Sequence, residues 1–147
     1  MILLDPFSPQ KCPELWSEEF ISLLTGRLSA KGRLITYSTA ASIRASFKRA
    51  GLKIYSIVPS IVEQKKWSLG TVAMKKRSDQ DLILKECQLK DLRTREVEHL
   101  NTRSSIPYRD PTGKGNSKEI ILARKIEQSK SQLINTSSWR KRWNTAQ

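Results

Sequence analysis

The chain has 147 residues, about one domain's worth, and carries 27 Lys and Arg against 14 Asp and Glu for a net charge of +13. That balance points to an anionic partner, most commonly nucleic acid, and no apolar run approaches the roughly 18 residues of a transmembrane helix. Cys12 and Cys87 lie far apart with no Cys or His at ligand spacing, which argues against a disulfide framework or a metal site and suits a reducing cytoplasm.

Ile2-Leu3-Leu4 reads as a short strand, too short for a signal peptide and followed at once by Asp5. The loop Asp5-Pro6-Phe7-Ser8-Pro9 follows. A buried strand that ends in a carboxylate and a proline-rich loop is how an α/β enzyme presents a polar group at the carboxyl end of its sheet. Phe7 offers a ring for stacking on a flat substrate, or else a core aromatic under the loop. Pro13 and the acids Glu14, Glu18 and Glu19 mark a helix start. Trp16, Phe20, Leu23, Leu24 and Leu28 then recur at helical spacing, which predicts a helix over about 13–29.

Arg33-Leu-Ile-Thr-Tyr-Ser38 predicts a strand. A second helix follows over about 40–50, capped by Thr39 or Ser42, with Ile43 and Phe47 inward, Arg44, Lys48 and Arg49 outward, and Gly51 ending it. Residues 52–58 and 69–74 predict two consecutive strands, with a loop from Pro59 to Ser68 between them. Alternation followed by a strand pair suggests a parallel α/β sheet closed by an antiparallel hairpin.

Beyond residue 76 the pattern weakens and the basic charge grows: residues 1–74 hold 10 basic and 5 acidic groups, residues 75–147 hold 17 and 9. A short helix is expected around Leu89–Leu100, a turn-rich stretch over 106–113, and a helix over 117–134 capped by Ser117. His99 stands alone and reads as a surface histidine. Trp139-Arg140-Lys141-Arg142-Trp143 sets two aromatics on one helical face with three cations between them. That suits an RNA backbone with stacking or cation–π contacts, or a tail docking its tryptophans on the core. The expected organisation is residues 1–76 as an α/β unit and 77–147 as a basic, mostly helical or partly disordered extension.

Leu4-Asp-Pro-Phe-Ser-Pro9, Pro13-Glu-Leu-Trp16, Gly32-Arg-Leu-Ile-Thr-Tyr-Ser38, Ile43-Arg44 and Ala50-Gly51 together resemble the MnmC-type methyltransferase domain. The resemblance covers about residues 1–75 and implies a Rossmann-like methyltransferase fold that uses S-adenosylmethionine. It also implies methylation of the aminomethyl group on the wobble uridine of tRNA. On this resemblance the chain begins at the fold's fourth strand, as the carboxyl-terminal half of the sheet. None of its six glycines makes the family's cofactor-binding turn, so the chain alone is expected to be inactive, and the first strand is expected to present an open edge to a missing half or a second copy.

The resemblance also implies roles. Asp5 is the expected catalytic residue, accepting a hydrogen bond from the substrate amine; a turn cap is the plain alternative. Pro6, Phe7, Ser8 and Tyr37 are the expected substrate-binding group, a core position being the alternative for Tyr37. Apart from the resemblance, position and charge make Arg44, Arg109 and residues 139–143 the expected tRNA contacts, a solvated face being the alternative for Arg44. The rival reading is a non-catalytic basic RNA-binding protein.

Overall fold

Five strands in the computed structural model, which describes residues 1–58, 68–76 and 89–144, form one mixed sheet in the order β1-β2-β4-β3-β5. They are β1 (Ile2–Leu3), β2 (Arg33–Thr36), β3 (Lys53–Ile57), β4 (Gly70–Met74) and β5 (Leu89–Asp91). β1 and β2 are parallel, and β4 inserts antiparallel between β2 and β3. The expected strand–helix–strand–helix–hairpin is therefore present. The expectation of a helix over 89–100 is corrected at its start, where Leu89–Asp91 instead pairs antiparallel with β3.

α1 (Glu18–Gly26) is shorter than its hydrophobic spacing predicts, because Pro13–Trp16 forms a separate 3-10 turn. Ser17 ends that turn with extended backbone and caps α1 by accepting a hydrogen bond from the Phe20 N–H at 3.2 Å. α2 (Ala41–Arg49) has Ala40 at its cap position, so neither Thr39 nor Ser42 serves there, and Gly51 follows it at φ +81°. At the start of α3 (Thr94–His99) only the Glu96 carboxylate takes part in capping, accepting the Arg93 N–H at 2.9 Å. α4 (Ser117–Lys130) carries a capping box in which Asn116, not Ser117, accepts from the Glu119 N–H at 3.0 Å. α5 (Thr136–Trp143) closes the described chain.

Alternation along the strands assigns the two faces. Leu34 and Ala73 point toward α1 and α2, where Leu4, Trp16, Ile21, Ile43 and Phe47 complete the main core. Tyr55, Val72, Met74 and Leu89 form a smaller cluster. The segment beyond residue 88 packs against the first half: Tyr108 and Ile120 belong to the main core, and the Glu18 N–H donates to the Tyr108 carbonyl at 2.9 Å. Most of the loop predicted over 59–68, together with Cys87, lies outside the described residues.

α2 departs most from its sequence. Every residue from Ala41 to Phe47 is buried, Arg44 included, because the 3-10 turn at Arg103–Ser105 packs against the face that reads as solvated. Ser42, Ala45 and Ser46 are small enough to admit that cover.

Candidate functional site

β1 continues one residue past its paired stretch, the Leu4 N–H donating to the Ile35 carbonyl at 2.9 Å, and then releases the chain as the Asp5–Pro13 loop. Pro6 and Pro9 lack N–H groups, so the loop is held through its carbonyls. The Trp16 indole N–H and the Cys12 thiol both donate to the Phe7 carbonyl, at 2.7 and 3.0 Å. The Tyr37 hydroxyl donates to the Pro6 carbonyl at 3.0 Å. The Ser8 carbonyl accepts from the Lys11 and Cys12 N–H groups at 2.8 and 3.1 Å.

With its backbone fixed, the loop exposes side chains. Asp5 and Ser8 face solvent, and Phe7 is 77% exposed, which settles the alternative of a core aromatic. A large ring held in water is a feature that a ligand would cover. Tyr37 is half exposed, meets Trp16 edge to face at 6.2 Å, and is not a core residue either. Burial, and after it the Asp5 carboxylate, push the Tyr37 hydroxyl up, so it stays a protonated donor. Burial and then Glu14 push the Cys12 thiol up as well. Asp5, Pro6, Phe7, Ser8 and Tyr37 thus share one loop system at the carboxyl end of β1 and β2. The indole of Trp16 and the thiol of Cys12, which sequence reasoning assigned to core or left aside, pin that loop.

A buried polar network lies at the same end of the sheet. Arg44, 1% exposed, donates from Nε to Thr71 Oγ1 at 2.8 Å and from Nη1 to Glu96 Oε1 at 2.6 Å. Its Nη2 reaches Ser56 Oγ, Ser68 Oγ and the Gly70 carbonyl at 3.1 to 3.2 Å. The Ser56 hydroxyl also donates to Glu96, whose second oxygen accepts the Arg93 N–H at 2.9 Å. Burial pulls the Arg44 guanidinium below its ordinary range, and the Glu96 carboxylate opposes that shift. Arg44 is therefore corrected as an RNA contact: its charge is spent inside. A Cβ on Gly70 would meet the Thr36 carbonyl at 2.4 Å, so only glycine lets β4 begin here.

The expected RNA-contact residues divide. Trp139 is 7% exposed, stacks on His99 at 4.1 Å and donates to the Arg95 carbonyl at 2.9 Å. Trp143 donates to Glu98 at 2.7 Å. Both tryptophans dock α5 onto α3, which corrects the stacking role and leaves Arg140, Lys141 and Arg142 exposed, Arg142 with Glu98 at 3.3 Å. His99 is no surface histidine: burial, with the charges of Arg44 and Arg140 behind it, lowers its pKa to about 4. Arg109 is exposed but grips Glu127 with two bonds of 2.9 and 3.0 Å and Glu18 with one of 2.6 Å.

Residues 1–72 match the model of a family of S-adenosyl-L-methionine-dependent methyltransferases. The tRNA 5-methylaminomethyl-2-thiouridine biosynthesis bifunctional protein MnmC of Azoarcus sp. (strain BH72) is 42% identical over 52 residues, 35% of this chain and 8% of that protein. Its counterpart from Campylobacter hominis is 37% identical over 49 residues, 33% of this chain and 7% of that protein. The crystal structure of MNMC2 from Aquifex aeolicus superposes with a TM-score of 0.72 at 28% identity, covering 88% of this chain and 38% of that one. The chain thus spans under a tenth of the curated relatives it matches, and the structural likeness reaches well past residue 72 into the basic half. Residues 1–72 thus match a methyltransferase family, and the described fold as a whole is similar to an MnmC-type methyltransferase structure.

Proposed function

We propose that this chain serves S-adenosylmethionine-dependent N-methylation of the aminomethyl group on a tRNA wobble uridine, with Asp5 as the acceptor-side residue. The observation that carries the reading is the Asp5–Phe7 loop, pinned through its carbonyls so that a carboxylate and a ring stand free beside each other. Asp5 accepts a hydrogen bond from the substrate amine, turns the nitrogen lone pair outward, and takes up positive charge as the new bond forms. Phe7, with Pro6 and Ser8 beside it and Tyr37 behind, stacks on the uracil for about 1–3 kcal/mol.

S-Adenosylmethionine supplies the electrophilic methyl group in this reaction. Its glycine-rich cradle has no counterpart among the described residues: Gly113 and Gly115 precede α4 but follow a turn, and no glycine both follows a strand and opens a helix. The residues described supply the acceptor side, and no step is routed through the cofactor. β1 has a neighbour on one side only among the described strands, with Leu3 67% exposed, and its free edge suits a strand from another segment or a second copy. A reducing cytoplasm suits the free thiol of Cys12.

The test is Asp5→Asn in the chain supplemented with the cofactor-binding half of an MnmC-type domain, assayed by transfer of labelled methyl to tRNA in parallel with tRNA affinity. Turnover is expected to fall roughly 10²–10⁴-fold with affinity unchanged. Undiminished turnover removes Asp5 from the chemistry. The exposed cations of α5 and the net charge of +13 favour a second reading, RNA binding without catalysis. Binding without turnover even with that half present and the cofactor saturating would select it.

A further inference from the structure

We infer that Tyr37, Thr71 and the buried Arg44–Glu96 pair form a positioning relay for the Asp5 loop, through which α3 holds the acceptor carboxylate in place. The inference rests on the reading of Asp5 above, and the relay itself is traced bond by bond. Glu96 fixes Arg44, and Arg44 Nε fixes the Thr71 hydroxyl at 2.8 Å. That hydroxyl donates onward to the Ser38 carbonyl at 2.7 Å. The Ser38 N–H and side chain are tied to Thr36 Oγ1 at 3.1 Å and the Ala40 N–H at 3.3 Å, so the 36–40 turn is fixed on both sides of Tyr37. Tyr37 then spends its hydroxyl on the carbonyl of Pro6, 31 positions earlier and adjacent to Asp5.

The chemistry of Pro6 makes that last bond decisive. A proline has its φ locked, so the backbone freedom left at this residue is its ψ, which the orientation of its carbonyl reports. Holding that carbonyl, while Trp16 and Cys12 hold the next one, leaves the segment after Asp5 little room to turn. Glu96 lies outside the 1–72 stretch that matches the methyltransferase family. The relay therefore gives the basic half of the chain a part in arranging the acceptor side, and Glu96, Arg44, Thr71 and Tyr37 act as positioning residues.

Cys12 reports on the loop directly, because its thiol donates to the Phe7 carbonyl at 3.0 Å. In the full chain carrying Cys87→Ser, the rate of Cys12 modification by a disulfide reagent measures how firmly the half-buried thiol is held on the Phe7 carbonyl. Tyr37→Phe removes only the hydroxyl, and Thr71→Val removes the middle link while keeping the branched shape and the Arg44–Glu96 pair. Each is expected to speed modification roughly two- to tenfold, the effect of one hydrogen bond. Thr71→Ser, which keeps the hydroxyl, is expected to restore the original rate. Met74→Ala, in the smaller core cluster, is expected to lower the melting temperature and leave the Cys12 rate unchanged. Unchanged rates in both Tyr37→Phe and Thr71→Val, or an equal acceleration in Met74→Ala, would overturn the relay. Methyl transfer that survives Asp5→Asn overturns the reading of Asp5 instead, whatever the thiol rates are.

Discussion

Two clusters of opposite charges hold the halves of this chain together, and they differ mainly in their contact with water. Arg44 and Glu96 meet inside, both about 1% exposed, with serine and threonine hydroxyls and one carbonyl filling the remaining bonds. Arg49, Glu18, Arg109 and Glu127 meet at the surface, where the arginine side chains are 43% and 45% exposed. Both clusters have short, well-aligned bonds, so geometry does not separate them. The buried pair was removed from water to form, and breaking it strands a charge; the surface cluster can exchange its partners for solvent at little cost.

The largest expected effect breaks the buried cluster on one side. Arg44→Met should destabilise the fold by about 3–5 kcal/mol, since Glu96 then stays buried as an unpaired charge. The double variant Arg44→Met/Glu96→Leu should recover most of that loss. Chemical denaturation of the two single variants and the double closes the cycle. A double variant as unstable as either single would mean that the hydroxyls around Arg44, and not the ion pair, hold the site.

Next in size is the α3–α5 interface, which sits between the extremes of burial. Trp139→Ala removes a buried indole together with its stacking on His99 and its bond to the Arg95 carbonyl, and should cost about 3 kcal/mol. The measurement is again denaturation, with the near-ultraviolet dichroism of the helix interface as a second readout. A loss well under that figure would mean α5 is peripheral to the fold.

How far these regions were legible in the sequence follows from the same physics. The Asp5 loop was readable because its signal is local: a strand, an acid and three prolines within thirteen residues, reinforced by motifs in a fixed order. The core positions Trp16, Ile43 and Phe47 were readable from spacing. Arg44 was misread because helical periodicity marks a polar face, and only tertiary cover decides whether that face meets water. The small residues Ser42, Ala45 and Ser46 beside it were the one local hint of close packing. Glu96, 52 positions away, carries no sequence signal that it is Arg44's partner. The two tryptophans of α5 were placed correctly on one face, but whether that face meets RNA or protein depended on α3, which periodicity does not position.

His99 gives the comparison a pH axis. Its pKa is about 4 in the fold against 6.5 for a free imidazole, so between those values the unfolded chain binds the proton more readily. The stability from the neutral, half-buried ring is thus fully present above about pH 6.5 and lost as the pH falls toward 4, on the order of 2 kcal/mol. Melting temperatures of the wild type and His99→Phe should diverge across that window and run parallel above it. Glu127, whose pKa is held below the ordinary carboxylate range by Arg109, contributes stability in the same direction but in a lower window, lost as the pH falls through its own depressed value.

The smallest expected effect is the most discriminating for the surface cluster. Arg109→Ala should cost below about 1 kcal/mol, and its coupling to Glu127 in a double-mutant cycle should shrink further as salt is added. The two-pronged grip on Glu127 sets the upper end of that range, because a fork held by two bonds loses less entropy per bond. A coupling above about 2 kcal/mol would place this cluster with the buried one and erase the contrast. The same variant bears on the proposed tRNA binding: the Arg109 charge is already met by Glu127 and Glu18, so, on that proposal, removing it should change the salt dependence less than removing Lys141 does. A cation that already has partners in the fold releases few counterions when RNA arrives, and a cation in water releases its full share.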